Sequence, residues 1–81
     1  MSKATQQISQ MANGYITELQ QRIDNYVESP QNFSYDDKEG FAVTIQVFQV
    51  VQKVQKHFKD QGYDTEFVDT DNVLKVRFPL E

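Results

Sequence analysis

Apolar side chains recur at Ile8, Met11, Ala12, Tyr15, Ile16, Leu19, Ile23, Tyr26 and Val27, the three-and-four spacing of one face of a helix. The pattern predicts a helix over residues 2–28. Ser2 is placed to cap its start, and Pro30 ends it by disfavouring helical backbone at Ser29 and lacking an N–H of its own. Gly14 lies inside this run and costs about 1 kcal/mol relative to alanine in a helix interior. A tolerated glycine is the simpler reading; a bend, or the close approach of another backbone, is the alternative.

Asn32-Phe33-Ser34-Tyr35-Asp36 alternates polar and apolar and predicts a brief edge strand with Phe33 and Tyr35 on one side. Asp36-Asp37-Lys38-Glu39 then reads as a helix entry, an aspartate cap followed by a glutamate that can return a hydrogen bond. The next stretch carries two signals. Phe41, Val43, Ile45 and Val47 alternate as in a strand, whereas Gln46, Gln49, Lys53, Lys56 and Asp60 recur at helical spacing opposite Val47, Val50, Val51, Val54 and Phe58. The longer, helical signal predicts a helix over residues 38–61, with Gly40 leaving its exact start open. Gly62 suits a left-handed C-terminal stop, and Lys56, His57 and Lys59 suit the negative end of the helix dipole.

Residues 65–68 and 73–78, joined by the turn-forming cluster Asp69-Thr70-Asp71-Asn72, predict a β-hairpin. Leu74, Val76 and Phe78 share one face, and Lys75 and Arg77 point to the other, so the sheet should meet the helices on one side and water on the other. The expected architecture is α+β in the order helix, strand, helix, hairpin, with two helices packed on a small three-stranded sheet.

Phe33-Ser34-Tyr35, the helix exit Gln61-Gly62-Tyr63 and the hairpin from Phe67-Val68 to Val76-Arg77-Phe78 together resemble small uncharacterised proteins of tailed bacteriophages, over residues 33–78. The resemblance implies an accessory or host-interaction protein that binds something and catalyses nothing. It carries no functional residues onto this chain.

The 81 residues fit one domain. A domain of this size buries only about 60 to 65% of its unfolded surface, so self-association is an economical supplement to its core. Cysteine is absent, which removes disulfides and thiolate chemistry and points to a reducing compartment. With no apolar run suited to a signal peptide or a membrane span, the expected location is the cytoplasm, of the host if the chain is phage-encoded. A net charge of −4 opposes general binding to nucleic-acid phosphate.

Little catalytic chemistry is available. His57 is the single histidine, so a histidine metal site or a nucleophile–histidine pair would have to form across subunits. The acids at Asp36, Asp37, Glu39, Asp64, Glu66, Asp69 and Asp71 fall where caps and turns explain them, and no apolar cleft is evident to pair two of them. The 69–72 segment lacks the central glycine and closing glutamate of a calcium loop, and Gly14, Gly40 and Gly62 are too dispersed for a phosphate loop. The glutamines follow helical periodicity, as solvated helix faces do. No catalytic residue, metal or cofactor is expected.

Two surfaces remain. The second helix is apolar over about half its circumference, more than the stripe of ~100° a small core requires. Three short strands should therefore leave the Tyr15, Leu19, Ile23 and Tyr26 side of the first helix for a second copy or another protein. The expected function is a non-enzymatic protein-binding or inhibitory module that is itself a homo-oligomer. The alternative is a sequestering protein for a nucleotide or another phosphorylated small ligand at a subunit interface, with Lys53, Lys56 and Arg77 against phosphate. An acidic mimic of DNA would need a continuous negative face, and the charges here are mixed.

Overall fold

A computed structural model describes residues 3–79, so the expected Ser2 cap and the terminal Leu80-Glu81 lie outside the described residues. In chain order they form α1 (Lys3–Glu28), a 3-10 turn (Pro30–Asn32), β1 (Phe41–Thr44), α2 (Phe48–Asp60), β2 (Asp64–Val68) and β3 (Val73–Arg77). The expected order of helix, strand, helix and hairpin is present. The sheet is antiparallel throughout, in the order β1-β3-β2.

The strand and the second helix are displaced from their expected positions. Residues 32–36 form no strand, and Phe33 stays exposed. The strand is Phe41–Thr44, and α2 begins only at Phe48. The strand-like alternation of Phe41 and Val43 was the correct signal over that stretch, because both side chains are buried against β3, where Phe41 faces Val76 and Val43 faces Leu74. Without β1 the inner edge of β3 would be left unpaired. The cap signal at Asp36 is real but closes a turn: its Oδ1 accepts from the Lys38 N–H at 2.8 Å and its carbonyl from the Gly40 N–H at 2.7 Å. Gly40, at φ +58°, then turns the chain into β1.

Both helices lie on one face of the sheet. Ala12, Leu19 and Ile23 of α1 and Val50, Val51, Val54 and Phe58 of α2 close over Phe41, Val43, Leu74 and Val76. Gly62 ends α2 as expected, at φ +96°, with its N–H donating to the Lys59 carbonyl and the Tyr63 N–H to the Phe58 carbonyl, both at 3.0 Å. Tyr26, Tyr35, Phe41 and Phe78 form an aromatic cluster at one end of the core, where the Tyr35 hydroxyl accepts from the Phe78 N–H at 2.8 Å.

Gly14 has open space where a Cβ would stand, so nothing among the described residues requires glycine there. Gly14→Ala should stabilise the domain by about 1 kcal/mol, read as a rise in Tm of roughly 4–8 °C. A fall in Tm would mean that another chain packs its backbone against this point.

Candidate interaction surface

The stripe expected to meet a partner is largely consumed inside the protomer. Leu19 is 0% exposed and Ile23 1% exposed, both in the core, while Tyr15 and Tyr26 are half-buried at its margin. The expected surplus supposes that three short strands cover only one layer of helix. With α2 starting at Phe48, α1 packs directly on β1 and α2, and the stripe is covered. The large apolar side chains left exposed on the described residues are Met11, Val27, Phe33 and Phe48.

Of the residues expected to hold phosphate, the structure brings two together and separates the third. Lys53 and Lys56 line an open groove of about 300 Å³ between α1 and α2, with Ser9, Asn13 and His57. Lys56 pairs with Asp60 at 3.3 Å, and the His57 ring lies 3.0 Å from the Gln61 amide. Arg77 lies on the opposite side of the sheet, because odd-numbered positions of β3 point away from the helices. There it pairs with Asp64 at 3.0 Å and Glu66 at 3.2 Å and donates to the Lys38 carbonyl at 3.1 Å. Lys75 likewise pairs with Glu39 at 3.3 Å. Glu39, Asp64 and Glu66 thus pair with the two cations of the sheet's outer face, a role that reading them as caps and turns does not anticipate; β-pairing register is the missing information. With carboxylates at least half exposed, such pairs contribute about 0–1 kcal/mol each. No group of three or more His, Asp or Glu side chains among the described residues is disposed to hold a metal ion.

The two exposed phenylalanines mark different places. Phe33 borders a cleft of about 230 Å³ shared with Arg22, Tyr26 and Phe41. Beside it, the Arg22 Nη1 donates to the Ala42 carbonyl at 2.8 Å, so α1 occupies part of the outer edge of β1. Phe48, at the start of α2, lies against Phe67 of β2 with ring centroids 6.1 Å apart. These two rings form a partly open apolar shelf beside the other edge of the sheet. The described residues contain no helix long and apolar enough to cross a membrane. No protein-family model, curated protein or solved structure matches this chain.

Proposed function

We propose that this chain is a non-enzymatic protein-binding module, of the accessory or host-interaction kind that its resemblance to phage proteins implies. The observation supporting this most directly is the exposure of two phenylalanines, Phe33 at 50% and Phe48 at 59%, on a protomer whose core is closed without them. Aromatic rings are strongly represented among the residues that anchor protein interfaces, and Phe48 is already paired with a second ring. Neither residue belongs to the buried core, and more than half of the Phe48 surface stays open despite its contact with Phe67. The proposal does not extend to a dimer through α1, since Leu19 and Ile23 are unavailable to it.

The test is site-specific photo-crosslinking with benzoylphenylalanine at position 48, and separately at 33, in the cells that produce the protein. The expected result is a discrete adduct with another protein, suppressed by excess purified wild-type chain. Adducts only with a second copy, or none at either position, would remove the proposal.

A second reading draws on Lys53 and Lys56 lining one groove with Ser9 and Asn13: this groove takes a phosphorylated small ligand, without Arg77. A nucleotide present at 100 times its Kd should stabilise the fold by about 2.7 kcal/mol. No thermal shift with inorganic phosphate or a nucleotide panel, or a shift that persists in Lys53→Ala, would dismiss it.

A further inference from the structure

The two edges of the sheet differ in what covers them. Hydrogen bonding alternates along an antiparallel strand, each residue directing both its backbone groups to one neighbour. The Ile45 N–H donates to the Asn72 carbonyl at 2.8 Å, so Asn72, Leu74 and Val76 face β1, and Val73, Lys75 and Arg77 face β2. The paired residues of β2 are therefore Asp64, Glu66 and Val68. Thr65 and Phe67, between them, direct their N–H and C=O groups away from the sheet. On β1 the equivalent outward carbonyl, that of Ala42, already accepts from Arg22. Among the described residues, the β2 edge has no such cover.

The two sides of this edge have opposite chemistry. Toward the helices stand Phe67 and Phe48, partly open to solvent. Toward the outer face stand Asp64 and Glu66, each about half exposed. That face holds Glu39, Asp64 and Glu66 against Lys75 and Arg77, a net excess of one carboxylate, and the adjoining turn adds Asp69 and Asp71.

We infer that β2 accepts an extended segment of another protein as a fourth strand, and that this segment alternates basic with apolar residues. Its basic side chains lie beside Asp64 and Glu66, and its apolar ones on the Phe48–Phe67 shelf. Backbone bonds to Thr65 and Phe67 supply the ladder, and the alternation supplies the selectivity. A second copy of this chain fits poorly: the antiparallel register that uses Thr65 and Phe67 of both copies sets Glu66 directly opposite its own mate, a destabilising like-charge pair. The inference rests on the protein-binding reading and specifies the chemistry of the partner.

The probe is the capped peptide acetyl-Lys-Val-Lys-Val-Lys-Val-Lys-amide, titrated into the full chain and followed by amide hydrogen exchange and backbone NMR. The Thr65 and Phe67 amides should exchange freely in the isolated protein and become protected on binding. A counterpart with glutamate in place of lysine should bind at least several-fold more weakly, and Glu66→Lys should weaken the lysine peptide by up to roughly fivefold. Thr65→Pro removes an outward N–H without touching the β2–β3 ladder and should lower affinity by roughly tenfold or more. Thr65→Val keeps that N–H and should bind normally; the Thr65 Oγ1 is buried without a hydrogen-bond partner, so its loss is tolerated. The wild-type exchange pattern decides the matter even if Thr65→Pro proves unstable. Absence of binding, equal binding of the glutamate peptide, or protection centred on the Phe33 cleft would overturn the inference. Crosslinking at positions 33 and 48 with an intact partner would still stand in that event, which separates this failure from failure of the protein-binding reading.

Discussion

Leu19→Ala is expected to lower the unfolding free energy by about 3 kcal/mol while leaving the mass of the protein in solution unchanged. Leu19 sits in the middle of α1 with no exposed surface, facing the sheet and α2. Truncation removes buried methyl groups and leaves a cavity that the surrounding backbone can only partly close. An exposed side chain awaiting a partner would instead cost within about 0.5 kcal/mol in the isolated chain. Urea unfolding followed by circular dichroism distinguishes the two, since the midpoint should shift with an unchanged slope. A loss below about 1 kcal/mol, together with weakened self-association, would return Leu19 to the role of an interface residue.

Gly40→Ala should be comparably damaging for a different reason. Gly40 adopts φ +58°, and a Cβ there would stand 2.5 Å from the Val76 carbonyl oxygen and also meet the Arg77 side chain. Arg77 can swing aside, but the Val76 carbonyl belongs to the central strand on the side facing β1 and cannot retreat without disturbing that pairing. Left-handed strain of order 1 kcal/mol adds to the clash, for a total of about 3 kcal/mol and a drop in Tm of roughly 12–24 °C. Gly62→Ala is the control: Gly62 is also left-handed, at φ +96°, yet a Cβ there would meet no other heavy atom of the described residues within 4 Å. It should show the backbone strain alone, and equal losses at the two glycines would argue against the close approach of β3.

How much of this was legible beforehand varies from element to element. α1 was predictable nearly to its ends, because a long amphipathic run followed by Pro30 leaves no competing period. The hairpin was equally clear, since Asp69-Thr70-Asp71-Asn72 stands between two alternating segments and Asn72 takes the left-handed φ of 56° that such a turn accommodates. Residues 41–45 carry the strand period alone, and carrying the polar helical spacing that begins at Gln46 back over them is what misplaces the start of α2. The deciding interaction is pairing with β3, more than twenty residues away, which no local window contains.

The interface residues fared as they did for a related reason. Hydrophobic periodicity identifies the apolar side of α1 but is silent on whether that side faces its own sheet or another molecule, since removing apolar surface from water is favourable in either case. Arg77 was grouped with Lys53 and Lys56 by charge alone, whereas strand alternation sends it through to the opposite face of the sheet.

By itself, then, the sequence determined α1, the body of α2 and the hairpin, the side of each that avoids water, and the stops at Pro30 and Gly62. Those are local matters, set by backbone preferences and by periods of 3.6 and 2 residues. Tertiary structure alone decided that β1 completes the sheet, that Leu19 and Ile23 face inward, and that Phe33, Phe48 and the outward groups of Thr65 and Phe67 are left over. The physical reason is that exposure is a remainder: which apolar rings and backbone donors stay available depends on which partners the rest of the chain has already supplied.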